Sequence, residues 1–174
     1  MTTRAPGVRA GPVGARARLG ALAALAASAM WSAPSRADSC TVSATTHAFG
    51  AYDTVTAAAA TSTITVTCTH TASAAVRFNY SVALSSGPGS YAARSLTGTG
   101  DTLTYNLYTS LARSTVWGDG SSGTSMVSGS LNVGGGAGGT RSDVLDVYGL
   151  IPAPQNVLPG SYATATPITV TITY

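Results

Sequence analysis

The chain has 174 residues, with nine Arg, six Asp and neither Lys nor Glu, room for one ordinary domain. Arg4, Arg9, Arg16, Arg18 and Arg36 all precede position 38, so residues 38–174 hold four Arg against six Asp, a net charge of −2. The basic pI therefore belongs to the first 37 residues, and four scattered Arg make no basic patch, which excludes a nucleic-acid or anionic-membrane partner inferred from charge.

Residues 1–37 read as a secretory signal peptide. Four Arg precede the apolar stretch Leu19 to Trp31, and small-residue cleavage options follow at Ser35-Arg36-Ala37 or, earlier, at Ala27-Ser28-Ala29. Thirteen apolar residues fall short of the ~20 that span a bilayer, so no membrane insertion is expected once the signal is cleaved. The product, residues 38–174, is expected outside the inner membrane.

Cys40 and Cys68 fit an oxidising compartment, where an even cysteine count favours a disulfide over free thiols. Such a bridge is worth ~3.5 kcal/mol on the chain-entropy model. The rival is a metal site drawing on His47 and His70, but zinc ligands usually come in closer pairs such as Cys-x-x-Cys. No metal or cofactor is expected, and each His is expected to be an exposed polar residue near a strand end.

From position 40 onward the pattern has period two. A weak run at Thr41 to Thr46 is followed by Ile64, Val66 and Cys68 alternating with threonines, then by Val76, Phe78, Tyr80, Val82 and Leu84 against Arg77, Asn79, Ser81 and Ala83. Leu103, Tyr105 and Leu107 repeat it, a weaker run covers Met126 to Val133, and Leu145, Val147, Gly149 and Ile151 follow. The last run is Ile168, Val170, Ile172 and Tyr174, with Pro167 at its start as befits a strand beginning or an edge. Turn signals separate the runs: Gly87-Pro88-Gly89, Gly98-Thr99-Gly100-Asp101, Gly118-Asp119-Gly120, Pro152-Ala153-Pro154, and a glycine tract at 134–139 expected to be a hairpin tip. About seven strands without helix predict an all-β, immunoglobulin-like Greek-key sandwich, with a barrel as the lesser option. Only ten of residues 38–174 are charged; sheets usually guard open edges with charge, and these edges are left free to pair.

Catalysis finds little support. A nucleophile needs a base within hydrogen-bond reach and a third group to orient it, and no nucleophile-elbow motif is present. Asp143 and Asp146, three apart on a strand, point to opposite faces and cannot work as a carboxylate pair. Arg94 and Arg141 are placed to pair with Asp101 and Asp143, contacts of small energetic weight. Tyr91 and Trp117 are candidate loop contacts for a carbohydrate or a surface; packing is the counter-reading for both, and Trp117 is expected to cover the end of the core.

The order Cys40-Thr41-Val42, Phe49-Gly50-Ala51-Tyr52, Thr63 to Cys68 and Leu103 to Tyr108 resembles the spore coat protein U domain. The resemblance continues in Trp117-Gly118-Asp119-Gly120, in Tyr148 to Pro152 with Gln155, and in Gly160-Ser161-Tyr162 leading to Thr169 to Tyr174. It implies a secreted subunit of the archaic, Csu-like chaperone-usher pilus class of Gram-negative bacteria, passing through the periplasm to a fimbrium or the cell surface, with roles in adhesion and biofilm. It also implies an incomplete sandwich lacking its last strand, which a periplasmic chaperone and then the next subunit supply at the usher. Ile168, Val170, Ile172 and Tyr174 would line one side of the acceptor groove. Subunits that polymerise carry an alternating apolar extension ahead of the first cysteine. Cleavage after Ala37 leaves only Asp38 and Ser39 there, which points to an acceptor that does not donate: a capping or tip subunit. The other reading is a self-contained surface or spore-coat binding module that uses its loops.

Overall fold

The computed structural model describes residues 38–98, 100–134, 139–158 and 160–174; the expected signal peptide, residues 1–37, lies outside them. The described residues form eight strands: β1 (Ser39–Ala44), β2 (Ala58–His70), β3 (Val76–Leu84), β4 (Arg94–Thr97), β5 (Thr102–Tyr108), β6 (Val127–Val133), β7 (Gly139–Ile151) and β8 (Val170–Thr173). They form two antiparallel sheets, one in the order β1-β2-β7-β5-β4 and one in the order β6-β3-β8. The molecule is an all-β sandwich, as the period-two pattern demands.

The alternation sets the faces. Ile64, Val66 and Cys68 of β2 and Phe78, Tyr80, Val82 and Leu84 of β3 are buried, while the threonines between the β2 residues stand on the outer side. Each fully buried Val or Leu side chain contributes ~1.5–3 kcal/mol, and residues of both sheets merge into one core cluster. β2 and β7 pair along 13 residues each, from Ala58 opposite Ile151 to His70 opposite Gly139. That long ladder is the backbone of the larger sheet.

Cys40 and Cys68 face each other across β1 and β2 and are joined by a disulfide. The thiols that a metal site needs are therefore used in the bridge. Neither His behaves as an exposed strand-end residue. His70 is 6% exposed, with Nδ1 2.6 Å from an Asp38 carboxylate oxygen and Nε2 2.7 Å from Ala74 O, and His47 is half-buried. Both are held by neighbours that the local pattern does not reveal.

Three further expectations change. β4 is an additional strand, because its inward residue Arg94 disguises the alternation with Leu96. The strands on either side of the glycine tract do not pair with each other: β6 pairs with β3 in the smaller sheet and β7 with β2 and β5 in the larger one. The connection carries the chain from one sheet to the other; residues 135–138 lie outside those described, while Gly134 O is close enough to Gly139 that a Cβ there would stand 2.7 Å from it. β8 is shorter than the run Ile168 to Tyr174, since only Val170–Thr173 extend along β3.

Candidate functional site

At Ala44 the edge strand β1 ends, and the chain leaves the ladder. Thr45 N–H still donates to Thr63 O at 2.9 Å, after which residues 46–52 run beside the larger sheet outside any strand. On the other side, residues 160–169 lead into β8, tied to β4 by reciprocal backbone bonds between Thr97 and Ala163 at 2.7 and 3.1 Å. Between these two segments lies an open cavity of about 830 Å³. Its floor is apolar, made by Ile64, Leu84, Leu103, Tyr105, Val147 and Ile151, all buried core residues. Among the described lining residues there is no Asp, Glu, Lys or Arg.

Side chains fix both walls. His47 Nδ1 lies 2.7 Å from Ser62 Oγ, its ring meets Phe49 edge-on at 4.8 Å, and Phe49 meets Tyr105 at 5.6 Å. Burial holds the His47 imidazole below its ordinary pKa and the Tyr105 phenol above its own. Tyr52 O–H donates to Pro152 O at 3.0 Å and accepts from Gln155 N–H at 3.0 Å. Gln155 in turn clasps the Thr104 peptide unit through both ends of its amide, each at 2.8 Å. Tyr162 O–H donates to Leu158 O at 2.5 Å. The segments Phe49 to Tyr52, Leu103 to Leu107, Tyr148 to Ile151 and Gly160 to Tyr162 thus converge on one groove.

Of the four residues expected along that groove, Ile168 and Val170 line the cavity. Ile172 is half-buried against the core, and Tyr174 is 55% exposed beyond the end of β8, its ring edge-on to Phe78 at 6.2 Å. Among the described strands β8 pairs only with β3, so its other edge is an edge of the smaller sheet, and β1 lies close to β8. No charged residue occurs from Pro167 to Tyr174.

The two loop candidates are engaged internally. Trp117 is fully buried and its indole N–H donates to Val82 O at 2.9 Å, so its ring packs in the core and is not the surface contact that was the lesser reading. Tyr91 is half-buried, with its O–H on Leu84 O at 3.1 Å. Arg94 is also fully buried and pairs with no carboxylate among the described residues. It donates to Asn106 Oδ1 at 2.5 Å, Trp117 O at 2.7 Å and Ser85 O at 3.0 Å, with the Tyr91 ring 5.4 Å away. Sequence reasoning missed Arg94 because a lone Arg reads as surface; its position two residues before Leu96 was the available signal.

The spore coat protein U domain model matches residues 25–172. The chain belongs to the spore coat protein U domain family. No curated protein matches the chain. Spore coat protein U domains are structural units of pilus or coat type at the cell surface rather than enzymes. This spore coat protein U groove has an apolar floor and, among the described residues, an uncharged lining. Among the described residues no group of three or more His, Cys, Asp or Glu is arranged to hold a metal, and no helix is long and apolar enough to cross a membrane.

Proposed function

We propose that the groove accepts a β-strand donated in trans, first by a periplasmic chaperone and then by a neighbouring subunit at the usher, and that the protein is a secreted pilus or coat subunit of a Gram-negative surface. One observation carries this reading: an open cavity of about 830 Å³, floored by buried apolar side chains, reaches Val170 of β8, whose strand has an edge that bonds to no other described strand. An added strand satisfies both at once, its peptide groups bonding to the edge while alternate side chains enter the cavity. The immunoglobulin-like, incomplete character of the sandwich is part of the same proposal. Residues 38–39 offer no alternating apolar arm ahead of Cys40, which supports a tip or capping position once the signal is cleaved after Ala37.

The test is export with and without a co-expressed pilus chaperone. Degradation alone and recovery as a one-to-one complex with the chaperone are expected, with Val170→Arg abolishing the complex by placing a charge in the groove. A stable monomer indifferent to the chaperone refutes the proposal. An exported mass that begins with a long apolar arm refutes the capping assignment. The loop-contact alternative would have to rest on half-buried Tyr91, because Trp117 is buried with its indole N–H on Val82 O.

A further inference from the structure

His47 differs from everything else that lines the groove: it is the only lining residue among those described whose ordinary pKa lies near neutrality. It stands on the wall formed by residues 45–52, and its placement is tight. A Cβ built on Gly149 would lie 1.9 Å from His47 Nε2, so the imidazole rests directly on the bare backbone of β7. Nδ1 has Ser62 Oγ, but Nε2 is buried without a hydrogen-bond partner. A neutral ring tolerates this as an unprotonated nitrogen against a glycine. A protonated ring places a charged N–H there with no acceptor, and burying a cation without a partner is strongly unfavourable.

We propose that His47 is a pH-sensitive latch on the groove: neutral, it pins the 45–52 wall to the larger sheet, and protonated, it lets that wall go, so that an occupant leaves faster in mildly acidic surroundings. The consequence for an occupant rests on the strand-accepting function proposed above; the latch itself does not. Among the described residues no charged side chain lines the cavity beside the ring. β2 presents Ser62, β5 presents Tyr105, the opposite wall presents Tyr162, and its own segment presents Phe49 and Tyr52. Asp146 of β7 stands on the outer face, where it accepts from Tyr148 O–H at 3.2 Å, and Asp53 is turned to the N–H groups of Val55 and Thr56. Release of the wall would carry Phe49 away from Tyr105 and widen the groove.

The sign follows from burial, which holds this imidazole below its ordinary value of 6.5. The latch is fully effective above that value and is lost as pH falls from there toward the depressed one. For an unfolded-state pKa of ~6.5, proton competition allows at most about a tenfold loss of wall closure at about pH 5.5.

The test is hydrogen exchange of the full exported chain at about pH 7.5 and 5.5, corrected for the intrinsic rate. Protection of the Thr45 N–H, which ties this wall to Thr63 O, is expected to fall by up to about tenfold in the wild type, that of the β2–β7 ladder to change little, and the fall to vanish in His47→Phe. Direct titration of the His47 ring resonances by NMR needs no variant and is expected to give a midpoint below 6.5. Equal protection at both pH values, an equal fall in His47→Phe, or a ring midpoint at or above 6.5 overturns the latch. A short synthetic peptide alternating Val and Thr supplies the occupant arm: it should dissociate faster at the lower pH from the wild type and not from His47→Phe. Peptide dissociation that ignores pH overturns the proposal. Failure to capture the peptide at any pH, with exchange still responding, refutes the strand-accepting function and leaves the latch standing.

Discussion

Replacing Gly149 by Ala is the sharpest probe of the groove wall. The added methyl carbon would sit 1.9 Å from His47 Nε2 and 2.7 Å from Phe49 Cε1, whereas non-bonded heavy atoms rest at ~3.5 Å. The imidazole must therefore retreat by about 1.5 Å, which breaks its 2.7 Å contact with Ser62 Oγ. Overpacking of this kind costs ~1–3 kcal/mol and the lost hydrogen bond ~1 kcal/mol, so a loss of about 2–4 kcal/mol is expected. Urea unfolding at neutral pH, followed by the fluorescence of buried Trp117, measures it. In His47→Ala/Gly149→Ala the conflict with the ring is gone, and a coupling of about 1–2 kcal/mol should appear relative to the sum of the single variants. An unchanged urea midpoint in Gly149→Ala, or a double variant that equals that sum, refutes the packing of His47 on β7.

Three other outcomes are expected. Arg94→Lys should destabilise by ~2–3 kcal/mol, because one ammonium cannot reproduce the planar fork that reaches Asn106, Trp117 O and Ser85 O; thermal unfolding at neutral pH reads this. Replacing both Cys40 and Cys68 by Ser should cost ~3.5 kcal/mol in chain entropy, measured as the difference in urea stability between oxidised wild type and the variant. The Tyr80 phenol, desolvated and bonded to Asp143, is held well above its ordinary value of 10.0. It favours the neutral form in the fold, so stability should fall as pH climbs past ~10. Ultraviolet titration should find Tyr80 ionising only as the protein unfolds, and Tyr80→Phe should weaken the alkaline loss.

Much of the sandwich was legible because burial on one side of a strand leaves a two-residue signature, and β2, β3, β5 and β7 carry it plainly. β4 was hidden by the same logic: a buried guanidinium held by carbonyls and an amide looks, residue by residue, like an exposed one. The direction of the chain after Val133 was also hidden. Glycines permit a turn but do not say whether the next strand pairs with the last or crosses to the other sheet, and only β7's long match with β2 decides it. At the groove, the apolar floor was readable and the wall was not. His47 needs Ser62, Phe49 and a bare Gly149 to be understood, and these lie on three separate stretches of the sequence. The terminal run was over-extended for a related reason, since alternation continues to Tyr174 after pairing with β3 has ended at Thr173.

The disulfide has a mechanical consequence. β1 is an edge strand, and a pull on the chain upstream of it would otherwise peel its hydrogen bonds apart one at a time, a low-force path. Cys40 is the second residue of β1 and is bonded to Cys68 of β2. Tension arriving from that direction passes at once into β2, which is flanked on both sides and held to β7 along its whole length. The covalent link thus changes the loading from sequential unzipping of a border strand to simultaneous shear of the sheet's longest ladder, which must break many bonds together.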